Sequence, residues 1–467
     1  MLNGKKNQSI SGTDRPVYLE AVAGIMMRPE WRLPFSGCIP GSDGSQPVST
    51  AGSKNSSDSN GSDFLVESIY HNTRNVFIQN LLSQMAFVVD RMSMRHVPAS
   101  LVGFCGKACA YAFFFCPGVA DMLIRLWNTP SEVQRRVLGG MPVYRGLEQR
   151  SAAQELASSF PPAVRAFALT SHASLIRYLR QTPNVPLSAA QISWQGPWQS
   201  RWCGRETDLF FVFVKYFHII LAGFLPPETE KAKRILAPCV LSVHGQLLVV
   251  LEDTLHKQSA SQQQENPHTA SPVTFDDFIE GPDASVSVNP LGVANCHRSM
   301  AENRLIILLR DFLSETSRET NPARQIYAES FCGVLKAAAS KTSLFDHNAC
   351  FVLCDFIEEA ITIISRYSQE VQVELFDWDF WFSVCRQMIR SHNSLTEVRV
   401  FAFIFCVWNT WTGAEERKRD LCLNFLLHED VFYRYFSHWS PMVRAYFHRL
   451  LCWRVSRYNG DPSPLDT

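Results

Sequence analysis

The chain has 467 residues, 46% of them hydrophobic, 19% charged and 12% aromatic, with 32 phenylalanines. That is the composition of a chain with a large core, long enough for two or three ordinary domains or one elongated helical assembly, and it excludes wholesale disorder. Lys plus Arg and Asp plus Glu each number 44, so no overall field draws in nucleic acid, and no nucleic-acid partner is expected.

Residues 1–62 are expected to form a disordered tail, because from Pro40 onward "PGSDGSQPVSTAGSKNSSDSNGSD" has almost nothing to bury. Ahead of it, "RPEWRLPFSGC" carries Trp31 and Phe35 and reads as plain tail or as a short docking peptide. Lys5 and Lys6 are not followed by an apolar run, so no secretory signal is expected. The 14 cysteines then read as small buried hydrophobes and not as a disulfide framework.

Helical periodicity begins after Ser62 and Asp63, with a predicted start at about Phe64 and apolar residues Leu65, Ile69, Val76, Ile78, Leu81, Leu82 and Phe87. Further helical blocks are "SLVGFCGKACAYAFFFCPGVADMLIRLWN", a segment from Ser151 to Gln181 broken at Pro161 and Pro162, "TDLFFVFVKYFHIILAGFLPP" and "AKRILAPCVLSVHGQLLVVLEDTLH". Together they make an N-terminal helical region, 63–256. A polar insert, 257–297, reads as an exposed loop or linker. The C-terminal helical repeat region, 298–458, has predicted helix starts at Met300, Pro322, His347, Gln369, Leu395, Gly413 and Pro441, before a tail at 459–467. Starts near two dozen residues apart match helix pairs of the armadillo or HEAT kind. The expected fold is all-α, an irregular armadillo/HEAT-like solenoid behind a disordered N-terminal tail.

Three segments, 101–120, 209–225 and 400–408, raise a transmembrane question, the last being the shortest and running into Asn409. Leu209–Leu225 holds twelve Leu, Ile, Phe or Val residues, worth roughly −5 kcal/mol for insertion, against about +3 kcal/mol for central Lys215 and a further cost for His218. On a helical wheel Leu209, Phe213, Phe217, Ile220, Leu221 and Phe224 share one face, while Lys215, His218 and Ala222 lie opposite, with Phe211 among them. That pattern predicts a core helix with a wet edge, and Pro226 and Pro227 stop it at the short limit for a span.

No catalytic constellation is found: there is no G-x-S-x-G elbow, Walker loop or H-E-x-x-H. Cys105 and Cys109, like Cys350 and Cys354, lie four apart, but neither pair is answered by a second zinc knuckle. His347 near Cys350, and Cys296 beside His297, complete no ligand set. Asp377 and Asp379 are read as helix-start carboxylates, and Glu358 and Glu359 as solvated. No catalytic residue, cofactor or metal is expected, and the chain reads as a non-enzyme.

The last predicted helix starts at Ser440 and Pro441, a hydroxyl cap followed by proline where its missing N–H costs nothing, and runs to about Tyr458. Val443, Tyr446, Phe447, Leu450 and Trp453 share its apolar face. Arg444, His448 and Cys452 lie away from it, whereas Arg454 and Arg457 fall back within it and must snorkel, pair with acids or contact a partner. Arg449 points a third way. Arg444, Arg449, Trp453, Arg454 and Arg457 are therefore the candidate partner-binding residues. Here "FSHWSPMVRAYFHRLLCWRVSRY", with "DLFFVFVKYFHIILAGFLP" and "GFCGKACAYAFFFCPGVADMLIRLWN" upstream, resembles the fungal family catalogued as domain of unknown function 1765, over roughly residues 64–458. Members of that family are described as uncharacterised membrane proteins. The resemblance brings no activity, cofactor or catalytic residue, and it implies a fungal source and an endomembrane setting. Two functional readings follow. One is a non-enzymatic cytoplasmic scaffold binding protein partners on the cytosolic face of an endomembrane; the other is an integral or re-entrant membrane protein using 209–225 and 101–120.

Overall fold

A computed structural model of the chain describes residues 14–35, 60–139, 147–168, 172–183, 187–265 and 300–456. Every regular element among them is helical, as the periodicity predicts. The chain divides into two compact units, Met1–Gln246 and Leu247–Thr467.

The first unit contains α1 (Asp14–Met26), a 3-10 segment (Pro29–Phe35), α2 (Asn60–Met92), α3 (Ala99–Phe115), α4 (Val119–Trp127), α5 (Ser131–Gly139) and α6 (Leu147–Ser158). Then follow α7 (His172–Leu179), the single turn α8 (Leu187–Ala190), α9 (Trp198–Trp202), α10 (Leu209–Phe224), the short α11 (Lys231–Arg234) and the first turns of α12 (Val240–Glu265). Its centre is α3 packed lengthwise on α10, with α1 and α2 against α3. Gly106 makes that approach possible: a Cβ there would lie 2.6 Å from Cβ of Val212 and 3.1 Å from the Leu209 carbonyl oxygen. The phenylalanines fill this interface edge to face, Phe113 on Phe213 at 5.3 Å and on Phe217 at 6.0 Å, while Trp127 and Trp202 stack at 5.2 Å. The two apolar strings are thus directed at each other. Among the described residues no single helix is long and apolar enough to cross a membrane; only α3 and α4 together pass on length and composition, and they are bent by 119°.

Three sequence expectations change in this unit. Residues 14–35 of the expected tail are helical and docked: Leu19, Ala23 and Met26 are buried at helical spacing, Trp31 stacks on Phe77 at 4.8 Å, and Phe35 lies 4.7 Å from Phe115. The docking-peptide alternative for Trp31 and Phe35 is the one observed, with this chain as its own receptor. Residues 1–13 and 36–59 lie outside the described set. In α2, which starts at Asn60 and not Phe64, the buried stripe is Phe77, Leu81, Met85, Val88 and Met92, while Ile69 and Val76 are exposed. Finally, α10 has no wet edge at His218. That residue is fully buried, facing the equally buried His244 of α12, while Lys215 and Ala222 are only half-buried. A wheel cannot show that a second polar side chain will be supplied by another helix.

The second unit contains the rest of α12, which runs to Glu265, into the stretch read as insert, with 266–299 outside the described residues. It continues with α13 (Arg304–Leu313), α14 (Asn321–Ala339), α15 (His347–Val371), α16 (Trp378–Ile389), α17 (Ser394–Trp411), α18 (Glu415–Leu421), α19 (Glu429–Phe436) and α20 (Pro441–Leu450). Caps set these boundaries. Asn303, Asp346, Asp377 and Asn393 each accept a backbone N–H of the first turn through the side chain, and Pro322 and Pro441 sit where no donor is lost. The start expected at Gln369 is absent: α15 continues to Val371 and ends at Gln372, whose φ of 54° is left-handed, so the next helix waits for the Asp377 cap. Packing runs α13 on α15, α15 on α17 and α17 on α20, with α16 against α17 and α19 against α20. Two turns, Cys422–Leu426 and Leu451–Val455, hold one extra residue each, closed by bonds from Leu427 N to the Cys422 carbonyl and from Ser456 N to the Leu451 carbonyl.

Candidate functional site

The C-terminal hairpin α19–α20 is tied to α17 by a buried carboxylate. Glu397 falls in the first turn of α17, where the helix dipole favours negative charge, and it is 1% exposed. Its Oε1 accepts from Nη2 of Arg434 at 2.7 Å and from the Tyr435 hydroxyl at 3.0 Å, and its Oε2 faces Nε2 of His438 at 3.5 Å. The Ser440 amide donates to Nδ1 of His438 at 3.1 Å, so the ring proton sits on Nε2, toward the carboxylate. Arg434 also reaches Nδ1 of His392 at 2.9 Å.

Two residues further along α17, Arg399 points to the other side. It is 4% exposed, donating to Asp355 of α15 at 2.9 and 2.5 Å and to Glu358 at 2.8 Å, with Phe351 beneath its guanidinium at 5.2 Å. Burial alone would lower its pKa; Asp355 and Glu358 outweigh that and hold it above its ordinary value. Arg324 of α14 is 1% exposed and pairs with Glu370 at 3.2 Å over the Tyr367 ring. These contacts span elements 37 to 46 residues apart in the chain, and nothing in the local pattern marks them.

Several readings are thereby corrected or met. Glu358, read as solvated, is the half-buried partner of Arg399, and Glu359 lies 3.6 Å from Arg310. Asp377 is a helix cap, accepting from Phe380 N at 3.0 Å, and it also pairs with Lys336. Cys105, Cys109, Cys350 and Cys354 are buried, and burial pushes the Cys105 thiol up to about 12, which makes it a poor nucleophile or ligand. Among the described residues no three His, Cys, Asp or Glu side chains gather as metal ligands. Cys296 and His297 lie outside the described residues.

The five candidate partner residues do not converge. Arg444 donates to the His438 carbonyl at 2.7 Å and closes the turn ahead of α20. Arg449 is exposed beside the Tyr446 ring at 5.6 Å. Arg454 donates to the Phe405 carbonyl at 3.1 Å and lies 4.2 Å over that ring, so it packs on α17. Trp453, expected in the apolar face, is 57% exposed, while Leu451 is buried. The cause is the i→i+5 turn at Leu451–Val455, whose extra residue rotates everything after Leu450 out of the register that 100° per residue predicts. Arg457 lies outside the described residues.

What the hairpin presents outward is aromatic. Tyr433 is 66%, Phe436 47% and Trp439 80% exposed, three large rings within seven residues. Phe436 is braced by Phe432 at 5.0 Å and His448 at 4.6 Å, and Nε2 of His448 reaches the Phe436 carbonyl at 3.0 Å. The inner side of the hairpin is consumed by the Glu397 network, and the outer side holds apolar surface that the described residues of its own unit do not cover.

Over 382 residues the chain is 24% identical to the UPF0592 membrane protein of Schizosaccharomyces pombe, an alignment covering 80% of this chain and 40% of that protein. The chain thus spans well under half the length of this relative. No solved structure matches it. The segment from within α14 to the turn after α20, holding both the Glu397 network and the exposed aromatic rings, matches over residues 331–455 the family described as protein of unknown function (DUF1765), the family resembled at the terminal helix; the match is shorter than the expected 64–458 and leaves the two upstream strings, in α3–α4 and α10, outside it.

Proposed function

We propose that the chain is a non-enzymatic helical scaffold of the armadillo or HEAT kind that meets the cytosolic face of an endomembrane peripherally and binds protein partners there. The observation that carries the membrane contact is the exposed trio Tyr433, Phe436 and Trp439 on a hairpin locked from behind by Glu397. Amphipathic rings of this type seat at the boundary between headgroups and acyl chains. The succession α13, α15, α17 and α20, each packed on the one before, supports a stack of helix pairs. The name of the fission-yeast relative supports the membrane setting. Burial of α3 and α10 against each other supports a peripheral contact over insertion, since their apolar surface is already used.

Two measurements test this. Carbonate extraction of membranes carrying the full chain should release it into the supernatant; retention in the pellet would establish the integral alternative built on 209–225 and 101–120. In vesicle flotation, Trp439→Ala should weaken partitioning about tenfold, the equivalent of losing some 50–60 Å² of buried apolar area. Unchanged flotation would remove the hairpin from the contact.

A further inference from the structure

The second unit carries a cleft of about 290 Å³ bounded by α16, the Cys422–Leu426 turn and the start of α19. Arg386 lies in the last turn of α16 and Arg390, four residues on, is its C-cap with near-helical φ and ψ, so both side chains line the same cleft. The Arg386 guanidinium lies over the Phe382 ring at 4.2 Å, with Phe425 at 5.8 Å, and donates through Nη2 to the Asn424 carbonyl at 2.9 Å. A carbonyl satisfies a donor without neutralising the charge, and among the described residues no other hydrogen bond occupies that fork. Arg390 is exposed, and among the described residues no carboxylate pairs with it or with Arg386. Two like charges one turn apart repel each other unless an anion sits between them. On the opposite wall Arg434 is compensated by Glu397, and His428, which precedes α19, lies 3.7 Å from Asp430, the acidic side chain of the lining.

We propose that this cleft binds a phosphomonoester. A dianionic phosphate answers two uncompensated guanidinium forks as a single carboxylate does not. An arginine whose guanidinium is held in place over an aromatic ring is restrained for bidentate phosphate recognition. His428 is a third donor on the far wall, and Phe425 and Ile389 form an apolar floor for the carbon skeleton of the ester. A soluble sugar or glycerol phosphate and a lipid headgroup share this chemistry. The site goes beyond the membrane contact proposed above: Asp430, Val431, Arg434 and Tyr435 face the cleft, while Tyr433 and Phe436 lie on other sides of α19. Phosphate binding is therefore measurable with no membrane present.

The test is calorimetric titration of the full chain with inorganic phosphate and with glycerol 3-phosphate, followed by flotation on phosphatidylcholine vesicles with and without phosphatidic acid. Inorganic phosphate should bind saturably with Kd of about 1 mM, and the ester more tightly. Arg390→Gln, at an exposed position, and Arg386→Gln should each weaken it about tenfold, while Arg318→Gln, exposed and outside the cleft lining, changes nothing. A gain in flotation with phosphatidic acid that both cleft variants abolish assigns the phosphate to a lipid headgroup. Ester binding without that gain assigns it to a soluble ligand, and either outcome supports the site. The proposal is overturned if neither phosphate probe binds saturably, or if binding survives the Arg386→Gln/Arg390→Gln pair.

Discussion

Lowering the pH from about 7.5 to about 5 imposes a specific strain on the first unit, through His218 and His244. Both rings are fully buried, Nδ1 of His218 lies 2.7 Å from the Val214 carbonyl, and the two Nε2 atoms are 3.1 Å apart. A carbonyl only accepts, so Nδ1 of His218 carries its proton and Nε2 is the acceptor. His244 must then donate through Nε2, which leaves its Nδ1 as an acceptor with no hydrogen-bond partner among the described residues. Adding a proton to His218 would set two N–H groups against each other in a fully buried site. Burial accordingly lowers its pKa from 6.5 to about 4, outweighing the opposing effect of the Val214 carbonyl, and drives His244 down as well. Because the folded value lies below the unfolded one, the unfolded chain binds more protons below pH 6.5. The stabilisation is therefore complete above that value and is lost as pH falls toward 4. At pH 5 His218 alone should cost about 2 kcal/mol relative to pH 7.5, with His244 adding in the same direction. The assay is hydrogen–deuterium exchange of α10 peptides at both pH values, corrected for intrinsic exchange rates, in the wild type and in His218→Leu/His244→Phe. The opening free energy of wild-type α10 should fall by at least that amount relative to the variant. An identical pH response in both proteins would refute the assigned tautomers and the burial argument behind them.

Gly106→Ala should destabilise the first unit by about 1–3 kcal/mol in urea unfolding, because its Cβ meets Val212 at 2.6 Å and helix α10 would have to move. Arg399→Met should cost about 3–5 kcal/mol by leaving Asp355 buried without its counter-ion, and adding Asp355→Leu should restore most of that loss. Arg454→Ala should lower stability by about 1 kcal/mol through loss of the Phe405 carbonyl bond and leave vesicle flotation unchanged, which separates a packing residue from a binding one.

Much of the second unit was legible from local chemistry. His347, Pro322 and Pro441 are read as helix starts, and the structure has helices beginning at or within one residue of each; Asp377 is read as a helix-start carboxylate and is one. These are short-range signals, because a cap needs only a side-chain oxygen within three residues of a free N–H. The aromatic string of α10 likewise reads as a core helix, and Pro226 marks where it stops, whereas the pattern of α3 leaves core and membrane both open and only its packing on α10 settles its burial.

The candidate site was not legible in the same way. A constant 100° per residue puts Trp453 and Arg454 on one face, and a single i→i+5 turn after Leu450 breaks that regularity. Leu19, Ala23 and Met26 already carried a helical period within the stretch read as tail; the polar run after Pro40 overshadowed it.

What the sequence determined by itself is the class of object: an all-helical chain with aromatic cores, helix boundaries set by caps and prolines, and no overall charge to attract nucleic acid. Tertiary structure alone decided which polar groups are buried and what they meet. His218 finds His244, Arg399 finds Asp355 and Glu397 finds Arg434 across 26 to 44 residues of chain. The reason is physical: periodicity reports which face of a helix avoids water, whereas pairing a buried charge depends on which helix arrives to cover it, and that is a property of packing.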